Sequence, residues 1–236
     1  MTRRSDAPQN EVPFLHEMQI ERDVDLLLAE YAETIEQVSK PPVPVEELVG
    51  TVLQLRHRFL DMKALFPFAD VHGAIWFEEG LIGVDSLLNP DLFPRRRGRY
   101  HFTLAHEIGH WRLHRQFFMK NPCERLLFDD GSTRPDVVCR SSERKKRVEW
   151  QADAFAAYLL MPREMVKREW HQLRGNMEPI YLAELRANQS TDLSDEMLFE
   201  QAARPLAEKF EVSPVAMRIR LEEIKLLART KENLLF

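Results

Sequence analysis

The stretch Phe102–His114, FTLAHEIGHWRLH, places two histidines four residues apart, with a glutamate directly after the first. The preceding run NPDLFPRRRGR carries two prolines and a glycine, so it predicts a loop that delivers the chain to a helix beginning near Tyr100. On such a helix, residues four apart differ by about 40° in direction and about 6 Å in height. The imidazoles of His106 and His110 can therefore reach one ion, and zinc would need their nitrogens at about 2.0–2.1 Å. Glu107 is rotated by about 100° from His106 and points beside that ion, the position of a general base. Gly109 costs about 1 kcal/mol relative to alanine inside a helix, which implies that something packs against the backbone there.

A catalytic zinc takes three protein ligands and keeps one position open. His114 lies about 12 Å along the axis from His106 and cannot share its ion. Glu149, in EWQADAFAAYLLMP, is the better third ligand, because Asp153 follows it by one turn on the same helix face. Glu149 would ligate while Asp153 accepts the free ring N–H of a histidine ligand, fixing its tautomer. A solvated helix face is the competing reading of this pair. Tyr100, His114 and Tyr158 are candidate oxyanion donors, with ordinary packing around two helices as the alternative. If the segment before Glu149 were helical, the Cys139 thiolate would fold back onto the open position and hold the site latent. A small buried thiol without a role is its alternative reading.

Outward from these motifs, Ile20, Val24, Leu27, Tyr31 and Ile35 recur at helical spacing until KPPVP stops the helix. Pro44 opens a second helix through VEELVGTVLQL. VHGAIWF and LIGVDSLL then read as two strands around a tight turn at Gly80. Periodicity fades after Trp111 and resumes at RVEWQADAFAAYLL, which Pro162 ends. The C-terminal third reads as helical throughout, with Ser213 capping a last helix that starts at Pro214. Together these predict an α+β fold with a small antiparallel or mixed sheet packed on helices in a core over residues 45–165. An N-terminal helical extension covers 1–44 and a C-terminal helical lobe covers 166–236.

Length and composition set bounds. With 236 residues, 44% of them hydrophobic, the chain can bury one sizeable core or a core and a lobe. No run of eighteen apolar residues occurs, and the two cysteines, Cys123 and Cys139, are too few for a disulfide framework. A cytoplasmic, membrane-free protein is expected. The net charge of -5 argues against non-specific nucleic-acid binding as the main activity. Local basic clusters stand at Arg95–Arg99 and Arg144–Arg147, each just before a motif helix.

FTLAHEIGHWRLH followed by EWQADAFAAYLLMP resembles the ImmA/IrrE family of bacterial zinc metallopeptidases, whose metal ligation is similar to that of gluzincins. The likeness is strongest from Val45 to Pro162, and FEVSPVAMRIRLEEI, Phe210–Ile224, resembles the helical tail that often follows. The resemblance implies a zincin-like core, His106, His110 and Glu149 as Zn2+ ligands, and Glu107 as the catalytic residue. The chain departs from many relatives in carrying Asp153 where they carry asparagine. Its connection from His110 to Glu149 is also long, which leaves room for another group to complete the coordination. The resemblance further implies a protein substrate, a DNA-binding helix-turn-helix repressor in particular. A non-catalytic regulator that sequesters a transcription factor has much the same sequence. Direct DNA binding through LAEKFEVSPVAMRIRLEEI is disfavoured, since Arg218 and Arg220 share their helix with Glu222 and Glu223.

Overall fold

The computed structural model describes residues 12–67, 70–119, 137–140, 147–187 and 193–230, with backbone alone for 137–140. Contacts divide the chain into two compact units. One joins Met1–Val38 to Pro44–Leu159, and the other joins Ser39–Val43 to Leu160–Phe236.

The first unit is built on a four-stranded mixed sheet, in keeping with the α+β reading. Its strands are β1 (Arg56–Leu60), β2 (Val71–Trp76), β3 (Leu81–Asp85) and β4 (Val137–Arg140), in the order β1-β3-β2-β4. β2 and β3 form the expected hairpin, and Gly80 supplies the positive φ of +57° that its turn requires. β4 pairs antiparallel with the other side of β2, and β1 pairs parallel with β3. Sequence reading missed β1 because Arg56 and Arg58 interrupt its apolar residues. On a strand those arginines fall on the exposed face of an edge. The helix expected through VEELVGTVLQL is shorter than predicted: α2 (Val45–Glu47) runs into a π-helical turn at Leu48–Val52, and the chain then turns into β1. A one-turn helix, α3 (Met62–Leu65), follows β1, with the Asp61 carboxylate accepting from the Ala64 N–H at its start.

Helix α4 (Arg97–Phe118) carries the two histidines and begins after a 3₁₀ turn at Pro94–Arg96. It extends well beyond Trp111 because Leu113, His114 and Phe118 still find buried positions. Two glycines set how closely it is approached. A Cβ on Gly73 of β2 would lie 2.5 Å from Glu107 Oε1 and 2.7 Å from Thr103 Cγ2. A Cβ on Gly109 would lie 3.1 Å from the Ala152 Cα, on helix α5 (Arg147–Leu160). The partner inferred for the Gly109 backbone is thus α5.

Helix α1 (Glu17–Thr34) buries Ile20, Val24, Leu27 and Tyr31, the stripe its spacing predicts. The Tyr31 hydroxyl donates to Glu47 Oε2 at 2.7 Å. The Arg112 guanidinium on α4 donates to both carboxylate oxygens of Asp23 and both of Glu30, at 2.8–3.3 Å. These contacts tie α1 to α2 and α4 within the first unit.

In the second unit, α6 (Arg163–Arg174) follows Pro162 and ends at Gly175, whose φ is +75°. A short helix, α7 (Leu182–Ala187), leads toward a packed pair, α8 (Asp195–Lys209) and α9 (Pro214–Glu223). Ser213 caps α9, as expected, by accepting from the Ala216 N–H at 3.1 Å. The segment is not helical throughout: two-residue strands β5 (Ile180–Tyr181) and β6 (Leu227–Ala228) pair in parallel. No described helix is long and apolar enough to cross a membrane.

Candidate metal centre

His106, Glu107 and His110 occupy consecutive turns of α4, and each is no more than 1% exposed. Glu149 stands in the first turn of α5. Held together by the Gly109–Ala152 approach, the two helices bring three donor groups to one point. His106 Nε2 lies 2.9 Å from His110 Nε2 and 3.4 Å from Glu149 Oε2. His110 Nε2 lies 3.6 Å from Glu149 Oε1. Among the described residues, these three donors fall within 4.8 Å of one another, the spacing of a metal-ion site.

The surrounding contacts fit a cation. Asp153 Oδ1 is 3.0 Å from His106 Nδ1. A carboxylate there takes the ring N–H, which leaves the His106 Nε2 lone pair facing the point of convergence. Glu107 is fully buried, and neither of its carboxylate oxygens meets a hydrogen-bond partner among the described residues. An orphaned buried carboxylate is costly, and it is tolerated where a reacting or coordinated group uses it. Two imidazoles and a carboxylate are also the donor set of a zinc site with an open fourth position.

Burial sets the electrostatics. It pushes the Glu107 carboxyl up to about 8, with His106 opposing that rise and Glu149 adding to it. It holds the His110 imidazole well below the ordinary histidine value, reinforced by His106 and His114. His114 is pushed down to about 4 by its burial, against the upward pull of its hydrogen bond to Gln151.

The Glu107 shift gives a stability test on the chelator-treated chain. Between the ordinary carboxyl value of 4.5 and about 8, the folded state keeps a proton that the unfolded state releases. Wild-type stability from this group is therefore full below pH 4.5 and lost as pH rises through that window. Glu107→Gln has no such proton, so its stability relative to wild type should climb across the same range, by on the order of a few kcal/mol. The His114 contribution has the opposite sign and is common to both chains. Denaturant titrations at pH 4.5 and pH 8 measure the difference, and parallel pH profiles would contradict it.

The candidate oxyanion donors differ in their surroundings. Tyr100 is fully buried, with its hydroxyl 3.2 Å from His57 Nε2, and burial together with Glu46 raises its pKa. Tyr158 follows Glu149 by nine residues on α5, which puts it on the opposite face about 13 Å further along. His114 is fully buried, with Nδ1 at 3.0 Å from His110 Nδ1 and Nε2 at 2.9 Å from Gln151 Oε1. Both its nitrogens are occupied, so it has none to offer a substrate oxygen. Cys139 lies on β4 opposite Gly73, on a strand where the latency idea needs a helix, and its side chain is outside the described residues. Sequence reading missed Gln151, whose Nε2 donates to the Pro13 carbonyl at 2.9 Å.

Comparison with known families joins this geometry to a lineage. The family model for the IrrE N-terminal-like domain, Peptidase M78, matches residues 88–222, more than half of the chain. The chain belongs to this peptidase family. The matched stretch contains α4 and α5 entire, and with them every residue of the convergent cluster. Membership in Peptidase M78 brings with it a protein substrate, and the His106–His110–Glu149 cluster gives this member a place for a metal ion. Comparison with curated proteins finds no match.

Proposed function

We propose that the chain is a zinc-dependent endopeptidase that cleaves a specific regulatory protein, with a helix-turn-helix repressor as the substrate class. The observation that carries this reading is the unpartnered, buried Glu107 carboxylate beside three converging metal donors. His106, His110 and Glu149 would hold the ion, and Asp153 orients His106. When bound, zinc supplies Lewis-acid polarisation of a peptide carbonyl and acidifies water. Glu107, beside the ion, takes the proton of the attacking water and hands it to the departing amine nitrogen. A water-poor setting strengthens these interactions, because little solvent is left to screen them.

The repressor assignment rests on the family resemblance and on charge. Arg95, Arg96 and Arg97 are exposed at the start of α4 and offer an anionic partner a docking surface. The arginines of α9 are engaged within their own unit: Arg218 pairs with Glu222 at 2.6 Å, and buried Arg220 pairs with Glu223 at 2.8 Å. Neither is spare for DNA phosphates. Co-expression with candidate repressors tests the reading. A discrete fragment should accumulate, cease to form in chelator and return with added zinc. Fragments that form undiminished in chelator would remove zinc from the mechanism.

A further inference from the structure

Four polar groups form an unbroken line away from the metal centre: His110, His114, Gln151 and the carbonyl of Pro13. The steps are 3.0 Å, 2.9 Å and 2.9 Å, and all three side chains have no exposed surface. The line has a direction, and its far end sets it. A backbone carbonyl only accepts, so Gln151 must turn its amide NH2 toward Pro13. That leaves the Gln151 Oε1, also an acceptor, facing His114 Nε2, which must carry the proton. A neutral imidazole has one ring proton, so His114 Nδ1 is bare and His110 Nδ1 must donate to it. His110 Nε2 is then a lone pair. Flipping the Gln151 amide would set two acceptor oxygens against each other at Pro13, so the reversed chain is disfavoured.

We propose that the Pro13 carbonyl, Gln151 and His114 form a one-way hydrogen-bond chain that locks His110 in the tautomer whose Nε2 lone pair faces the metal position, making Gln151 and His114 positioning residues. This rests on the reading of His110 as a metal ligand. Asp153 does the same for His106, so the two ligands are oriented by different means: one by a carboxylate, the other by a neutral relay ending on the main chain ahead of α1. With both Nδ1 atoms committed as donors, the two Nε2 lone pairs face each other at 2.9 Å beside the Glu149 carboxylate. Such an arrangement of acceptors is held apart from protons and prepared for a cation. The N-terminal segment is fixed over the relay by two further contacts. Arg147 Nη1 donates to the Val12 carbonyl at 3.1 Å, and Phe14 stacks on Trp150 with centroids 5.6 Å apart.

The test uses the full chain, both metal-free and zinc-loaded, with ring nitrogen-15 shifts reporting each tautomer and chelator competition reporting zinc affinity. In wild type, His114 should carry its proton on Nε2, with Nδ1 bare, and His110 should carry one on Nδ1. Gln151→Met keeps the length and removes the amide. It should bring up a second His110 tautomer in the metal-free chain and weaken zinc binding by about 10–100-fold. His114→Phe should weaken zinc binding to a similar extent while leaving the His106 ring shifts unchanged. A wild-type His114 protonated on Nδ1 overturns the chain, and this measurement needs no variant to fold. So does a Gln151→Met protein with wild-type His110 shifts and wild-type zinc affinity. If wild type takes up no zinc at all, the metal reading of the site fails, while the ring shifts still decide the direction of the relay.

Discussion

Glu107→Gln should bind zinc and its protein target as wild type does but cleave at least about 10²–10⁴-fold more slowly. The amide matches the carboxylate in size, which matters because Glu107 is fully buried against the backbone of β2 at Gly73. It lacks only the capacity to take a proton from water and deliver it to the leaving nitrogen. The geometry places Glu107 beside the donor cluster and outside its ligand set, so metal content should hold. Fragment yield over time, read beside zinc content and target binding, checks the expectation. If the chain acted by sequestering a transcription factor, Glu107→Gln would still relieve repression, and neither protein would produce fragments. That result would replace the peptidase mechanism with a binding one.

Glu149→Ala should lose most of its zinc. Glu149 supplies the only carboxylate among the three convergent donors, and truncation leaves two neutral imidazoles on a single helix. Asp153→Ala should be milder, costing about 10–100-fold in affinity, since it removes the acceptor that orients His106 and leaves the donors in place. Zinc content after dialysis separates the two variants. Equal content and affinity in wild type and Glu149→Ala would show that another group completes the coordination.

What could be read from the sequence was what depends on local periodicity. A spacing of four on one helix places His106 above His110, and the same spacing on another places Glu149 above Asp153, whatever the rest of the chain does. The assembly of the two helices was suggested by a chemical need for a third ligand and by Gly109, whose missing side chain implied a close neighbour. Long-range pairings were harder. β1 joins the sheet by parallel pairing with β3, across an intervening strand, and no short window of sequence encodes such a partner. His114 shows both sides of the difficulty. Its height along α4 excludes it as a ligand, yet the same modest rotation per four residues brings its Nδ1 within 3.0 Å of His110 Nδ1, a signal that was available. Gln151, 37 residues further on, gives no local sign that its amide completes the relay.

The two glycines have a consequence for motion. At Gly109, α4 meets α5 with no side chain of its own in between, and at Gly73 the strand offers none, so Glu107 and Thr103 of α4 lie directly on its backbone. Where side chains interdigitate, a pocket can breathe as rotamers exchange on fast timescales. Here Gly109 has no rotamer to change, and the Glu107 and Thr103 side chains are pressed against main chain at Gly73. Any widening of the centre has to come from displacement of a whole helix or of the sheet beneath it, a slower and collective event. The donors therefore travel together with their supports, and their mutual spacing is set by main-chain contact.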